Sequence, residues 1–231
     1  MLLKIVAAVA RWIFVLCLPV MLFTASMAWG FNSLWLYEYG FNKFDVSRST
    51  GIPETELNRS AAALIHYFNS NQEFIQVTIH AGGAPFLLFN KEEQEHFKDV
   101  KNLVRFDYKV LIGTLVFLLL FTFWAIWGKT GRRRMLAWSI IWGAGLTLFL
   151  LVVLAVASVF DFSQLFIDLH RLIFTNNYWS AQGYMLLLFP GDFWFDAALI
   201  CFGFMAGLAL VLGGASAIWL RLTRLRPAGS K

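Results

Sequence analysis

Four windows of the chain are apolar for long enough to cross a lipid bilayer. They run from about Ile5–Gly30, Tyr108–Gly128, Met135–Val159 and Asp196–Leu220, each near the roughly 20 residues a spanning helix needs. Polar segments lie between them, at residues 31–107 and 160–195. Thr50–Ser70 repeats Leu57, Ala61, Leu64, Ile65 and Phe68 at helical spacing, with Pro53, Glu54 and Glu56 suited to its start. Phe74–Ala81 alternates: Ile75, Val77 and Ile79 on one face, Gln76, Thr78 and His80 on the other. Ala84–Phe89 follows after Gly82-Gly83, so a β-hairpin is expected. Asn90 then opens a helix as its N-cap. Glu93 stands three residues on, completing a capping box, with Glu92 and Glu95 beside it where the helix dipole favours anions.

In the second polar segment, Phe162–Trp179 places Phe166, His170, Ile173 and Asn177 on one stripe, with Ser163 as the expected cap. It is too short and polar to span, so an interfacial or re-entrant helix is expected. Tyr184–Phe189 is apolar again, and Pro190-Gly191 turns the chain toward the fourth span. Gly203 and Gly207 form a small-xxx-small pair for close helix packing. The aromatic run Trp29, Phe31, Trp35, Tyr37, Tyr39, Phe41 reads as an interfacial belt. The fold class is an α-helical membrane protein: four spans, a small α-β-β-α extracytoplasmic domain and an interfacial helix. The expected segments are residues 1–30, 31–107, 108–128, 129–134, 135–159, 160–195, 196–220 and 221–231.

Charge supplies the orientation. The 231 residues are 59% hydrophobic and only 14% charged, against roughly 25% in soluble domains. Gly128–Arg134 is a basic turn between the second and third spans. Arg221, Arg224, Arg226 and Lys231 follow the fourth, and Lys4 and Arg11 lie in the first. The positive-inside rule puts all of these, and both termini, in the cytoplasm. All 14 acidic residues then fall in or beside the two outer segments. The net charge of +5 is thus a topology signal and not a nucleic-acid footprint. Ser26-Met27-Ala28 resembles a signal-peptidase site, but the apolar run before it exceeds a usual h-region, so an uncleaved anchor is expected. Cys17 and Cys201 lie inside spans, which leaves no thiol nucleophile or disulfide framework outside.

The sequence lacks a G-x-S-x-G elbow, an H-E-x-x-H pair and a phosphate-cradling glycine loop. It retains two histidines in similar settings. His96 shares one face of the Asn90 helix with Val100 and Leu103. His170 sits on the stripe of the second outer helix. Each has acidic or amide neighbours: Glu92 and Asp99 near the first, Asn176 and Asn177 beyond the second. Two buried, hydrogen-bonded core histidines would give this pattern, and so would two histidines aimed into one pocket, where imidazole acts as base or donor at neutral pH. A metal held by His96, Asp99 and His170 lacks any ligand-spacing signature, so no metal or cofactor is expected. His66 and His80 read as surface positions.

The runs LFNKEEQEHFKDVKNL (88–103), LFIDLHRLIFTNNYW (165–179) and LLLFPGDFW (186–194), set among four spans, resemble a bacterial integral membrane family. Its characterised members are lipoprotein intramolecular transacylases. The matching positions are Phe89, Asn90, Glu93, His96, Asp99, Val100 and Lys101, then Phe166, His170, Phe174, Asn176 or Asn177, and Trp179. TGIPETEL, the helix start at residue 50, belongs to the match as well. Ser180-Ala181-Gln182-Gly183 departs from the Asp-Pro that follows the tryptophan in the family, and Gly191 stands where an acidic residue is usual, with Asp192 next.

The resemblance implies transfer of the sn-2 acyl chain of a diacylglyceryl-cysteine to that cysteine's α-amino group. The implied partners are a diacylated lipoprotein N-terminus and membrane phospholipid, with the site on the extracytoplasmic side. The substrate brings its own nucleophile, so His96 is the candidate base and His170 the candidate oxyanion stabiliser, roles that sequence leaves exchangeable. Asp99 is expected to orient His96, and Asn177 to orient His170. Asn176, Glu93 and Trp179 are expected to support them. The alternative class is a non-enzymatic membrane protein that binds lipid or a partner. It predicts histidine rings more than roughly 10 Å apart with no groove between them. Sequence sets no oligomeric state.

Overall fold

A computed structural model describes residues 2–81, 83–128 and 130–225. Gly82, Arg226 and Lys231, named above, lie outside the described residues, as do Lys129 of the basic turn and the side chains of Lys4 and Val159. The elements in chain order are α1 (Leu2–Asn32), α2 (Leu34–Lys43), α3 (Val46–Thr50), α4 (Glu54–Asn69), β1 (Thr78–Ile79), β2 (Phe86–Leu87), α5 (Lys91–Ile126), α6 (Thr130–Ile173), a 3-10 turn (Tyr178–Ser180), α7 (Tyr184–Leu188) and α8 (Gly191–Leu225). Among the described residues, four helical stretches are long and apolar enough to cross a membrane: Ile5–Asn32, Lys91–Ile126, Gly131–Ser158 and Gly191–Arg224. The described residues are therefore mostly helical, with one two-stranded sheet.

The chain divides into two compact units, Met1–Ser26 with Tyr108–Val156 and Phe202–Lys231, and Met27–Asp107 with Ala157–Cys201. The first holds the apolar stretches. Its inner seam is Phe14, Leu18, Leu22, Leu118, Phe121, Ala125, Leu136, Ala144, Met205 and Ala209. Large apolar side chains such as Leu120, Trp127 and Val211 stay exposed, the inside-out distribution of helices whose solvent is lipid. The small-residue contact is not where the sequence pattern put it. A Cβ on Gly203 or Gly207 meets nothing within 4 Å. At Gly143 it would meet Leu18 Cδ2 at 2.8 Å, and at Gly213 the Ala144 Cβ at 3.1 Å. Helices approach closely there instead.

The second unit carries the polar segments. α4 buries Leu57, Ala61, Leu64 and Phe68 as its periodicity predicts, and Tyr67 besides. Ile75, Val77 and Ile79 are buried and Gln76, Thr78 and His80 exposed. The ladder itself is shorter than the alternation suggests. Among the described residues only Thr78↔Leu87 and Ile79↔Phe86 pair, extended by Leu88 N–H donating to the Val77 carbonyl at 2.8 Å. Two strands alone are weak, and this segment is held by its buried face more than by its hydrogen bonds. His66 and His80 are both exposed.

The aromatic run begins in the last turns of α1 with Trp29 and Phe31 and continues as a helix, α2, and it is only partly a belt. Tyr37 and Phe41 are buried, each with its ring 5.9 Å from Phe189, while Trp35 is exposed. Gly40 is required there, because a Cβ would fall 2.3 Å from the Phe193 ring.

α6 breaks its helical geometry at Asp161 (φ −164°, ψ 93°). Asp161 Oδ1 accepts the Gln164 N–H at 2.9 Å, so Asp161 caps the following segment and Ser163 does not. That segment ends at Ile173, leaving Asn177 off its stripe. α8 begins at Gly191, earlier than Asp196, because Pro190 accepts the Phe193 N–H and starts the turn.

Candidate active site

The N-terminus of α5 is the fixed end of the site. Glu93 N–H donates to Asn90 Oδ1 at 3.0 Å, and Asn90 N–H donates to Glu93 Oε2 at 2.8 Å. This is the reciprocal capping box. The other Glu93 oxygen, Oε1, accepts the Met185 N–H at 2.6 Å, and Asn90 Nδ2 donates to the Gln182 carbonyl at 3.1 Å. The carboxyl is 1% exposed. Burial raises its pKa, and the two backbone donors partly offset that. Gly183 is what lets the loop come so close: a Cβ there would sit 2.3–2.7 Å from the carboxylate atoms.

One turn on, and ahead of the apolar stretch that begins at Tyr108, His96 is 7% exposed. Its ring lies 6.2 Å, centroid to centroid, from that of His170, at an interplanar angle of 34°. Phe174 closes over both, 5.1 Å from His96 and 5.5 Å from His170. Phe166 lies 4.1 Å from the His170 ring and Trp179 5.3 Å from it. Burial pushes the His96 pKa down to about 4, helped by the neighbouring His170 and opposed by Asp99. Burial lowers His170 as well, against its hydrogen bond to Phe166. Both rings are therefore neutral at physiological pH.

Their hydrogen bonding differs. His170 Nδ1 lies 2.8 Å from the Phe166 carbonyl oxygen one turn back. A carbonyl only accepts, so Nδ1 carries the proton and Nε2 of the neutral ring presents a lone pair. His96 Nδ1 is buried with no partner, and so is Trp179 Nε1. A cavity of about 300 Å³ lies beside this cage, lined by Asp99, Asn102, Leu103, Phe106, Ile173, Phe174 and Thr175.

The family model for the lipoprotein intramolecular transacylase Lit matches residues 12–194. The chain belongs to the lipoprotein intramolecular transacylase family. Its fold is similar to that of the membrane-integral Lit from Bacillus cereus, at 16% identity and a TM-score of 0.78, covering 96% of this chain and all of that one. Two variants of the B. cereus protein are similar to it as well. One carries alanine for a histidine (17% identity, TM-score 0.78, 97% of this chain and 98% of that one). The other carries arginine for a histidine (18%, 0.76, 97% and 96%). No curated protein sequence matches the chain.

The structure brings His96, His170, Asp99, Asn176 and Trp179 into one cluster, with Glu93 a turn away. Two expected pairings are replaced by others. Asp99 Oδ2 accepts from Asn176 Nδ2 at 2.8 Å, and no hydrogen bond joins it to His96. Asn177 is exposed at the start of the 3-10 turn, and His170 is oriented by the Phe166 carbonyl instead. Among the described residues no three His, Cys, Asp or Glu side chains converge as a metal site, so His96, Asp99 and His170 do not form one.

Sequence reasoning missed the clasp on the opposite face of α5. Lys101 is buried, donates to the Gln72 carbonyl at 2.6 Å and lies 4.0 Å over the Tyr67 ring. Arg105 reaches the Ser70 carbonyl at 2.7 Å. The signal was available: Lys98, Lys101 and Arg105 recur at i, i+3 and i+7 on one helix face.

Proposed function

We propose that this protein moves the sn-2 acyl chain of a diacylglyceryl-cysteine at a lipoprotein N-terminus to that cysteine's own α-amino group, leaving the lyso-form. The observation that carries this reading is the pair of neutral histidines with ring centroids 6.2 Å apart, well inside the roughly 10 Å beyond which two groups cannot serve one substrate. The bond inventory needs no enzyme nucleophile. The substrate nitrogen attacks the ester carbonyl carbon, a C–N bond forms and the carbonyl oxygen becomes an oxyanion. His170 Nε2, the free lone pair, takes the N–H proton. As the tetrahedral adduct collapses, the C–O bond to glycerol breaks and that proton passes to the departing oxygen, which becomes a hydroxyl. His96, held neutral by burial, keeps its own proton and supports that transfer with an N–H hydrogen bond to the departing oxygen as charge builds there.

His170 thus takes the base role first given to His96, a choice that the sequence leaves open and that the Phe166 carbonyl beside His170 Nδ1 supports. Holding donor and acceptor in one cage converts proximity into rate. We place both termini in the cytoplasm and the site on the extracytoplasmic side, on the distribution of basic and acidic residues. Acyl chains of substrate and phospholipid would then share the membrane with the apolar helices.

The reaction is an isomerisation, so the intact mass of the lipopeptide does not change. Purified protein is to be incubated with a synthetic diacylated lipopeptide, followed by fragment-ion mass spectrometry and an assay for free amine. The acyl chain should appear on nitrogen as the free amine disappears. A lipopeptide that keeps its amine and both esters overturns the reading.

A further inference from the structure

Within that reading, we propose that Trp179 is a catalytic residue: its indole N–H is the donor that holds the oxyanion of the tetrahedral adduct. The argument starts from what is left unpaired. A buried polar N–H without a partner is costly, and most such groups find one. Trp179 Nε1 is buried and has none. Its ring stands 5.3 Å from His170, whose own ring is 6.2 Å from His96, the other orphan of the cluster. Two unsatisfied nitrogens in one aromatic cage mark a place where a ligand's oxygens complete the bonding.

The chemistry separates their tasks. Imidazole changes charge near neutral pH and suits proton transfer. Indole N–H donates only and never ionises in this range. It suits an atom that becomes negative without ever taking the proton, which describes the carbonyl oxygen during acyl transfer. No bond to the indole forms or breaks. Its hydrogen bond strengthens as the C–N bond forms and weakens when the amide carbonyl returns.

The ring is also held in advance. It sits on the 3-10 turn closed by Ser180 N–H donating to the Asn177 carbonyl at 3.1 Å. Asn176 Oδ1 accepts the Tyr178 N–H at 3.0 Å while its Nδ2 donates to Asp99 at 2.8 Å. Asp99 and Asn176 are therefore positioning residues that tie the tryptophan turn to the helix bearing His96.

The test replaces Trp179 with benzothienylalanine, in which sulfur stands where the N–H was, and in parallel makes Trp179→Phe. Full-length protein in lipid nanodiscs is assayed on the diacylated lipopeptide. The expected result is a kcat roughly 100-fold lower or more, KM within about twofold, an unchanged pH profile, and an unfolding temperature equal to or above wild type, because the group removed had no partner in the free protein. A structural role would instead lower the unfolding temperature and move KM. A benzothienyl variant within threefold of wild-type kcat overturns the inference, and so does a rate loss matched by a loss of stability. Wild-type protein that forms no N-acyl product overturns the proposed reaction and this inference together, whereas an active wild type with an equally active variant overturns the inference alone.

Discussion

Glu93 and His96 are three residues apart on one helix, and both are buried, yet they are solved in opposite ways. Glu93 has partners on both oxygens: the Asn90 and Met185 N–H groups. His96 leaves Nδ1 with nothing. A buried polar group whose bonds all close within the protein is a joint. One that is left open, beside a second histidine with a free lone pair, is kept for something that arrives. The difference gives the two turns of α5 separate jobs, and substitutions should separate them.

The largest effect is expected at the open end. His170→Asn removes the lone pair at the position of Nε2 and should lower the rate of N-acyl product formation by roughly a thousandfold, within the usual range for acid–base groups. His96→Asn should follow it. His170→Asn should not unfold the protein, since His170 is only half-buried. Product formation by mass spectrometry, alongside unfolding curves, checks this. An active His170→Asn protein would put the base elsewhere.

At the closed end the cost should fall on stability first. Gly183→Ala drives a methyl to within 2.3–2.7 Å of the Glu93 carboxylate, and overpacking of this kind costs about 1–3 kcal/mol. Glu93→Ala strands two N–H donors at roughly 1–3 kcal/mol each. The two changes act on one contact, so the double variant should be much less than additive. Denaturant unfolding of the two single variants and the double variant measures the coupling. Full additivity would mean that the joint is not where the geometry puts it.

The capping box was legible because its signal is local: Asn90 and Glu93 stand three apart, and the helix dipole decides the rest. The four spans were legible because bilayer thickness sets their length. The partner of each site residue was not. Asp99 had His96 one turn before it in sequence, but Asn176 reaches it across 77 positions. His170 had amides downstream, but its own helix supplies a carbonyl one turn back. Spacing says which residues share a face and says nothing of which of several acceptors wins. Gly183 was read only as part of a departure from the family's Asp-Pro, and the need for glycine appears once the Glu93 carboxylate stands against it.

The His96 environment should also register in pH. Its folded pKa of about 4 lies below the ordinary 6.5, so between those values the unfolded chain binds a proton that the folded chain refuses. Stability must then fall as pH drops from 6.5 toward 4, and level off below. Between pH 6.5 and pH 5 the loss is roughly 2 kcal/mol. Burial dominates the shift, with His170 adding to it and Asp99 opposing. The difference between wild type and His96→Asn isolates this share from other titrating groups. Parallel curves for the two proteins would remove the case for a neutral, desolvated ring.

The smallest expected effect lies between the two ends. Asn176→Ala cuts the 2.8 Å bond to Asp99 and the cap on Tyr178 N–H. Asp99 is half-buried and Tyr178 exposed, so water can replace both partners. The stability cost should be about 1 kcal/mol, the usual net worth of one hydrogen bond. The rate should suffer more than that figure implies, by about tenfold, because a turn loosened by an ångström no longer presents Trp179 correctly. Asp99→Asn, by contrast, keeps a side-chain oxygen able to accept from Asn176 and should retain most of the activity. Equal damage from both substitutions would mean that the Asp99 charge matters to the reaction beyond the hydrogen bond it accepts from Asn176.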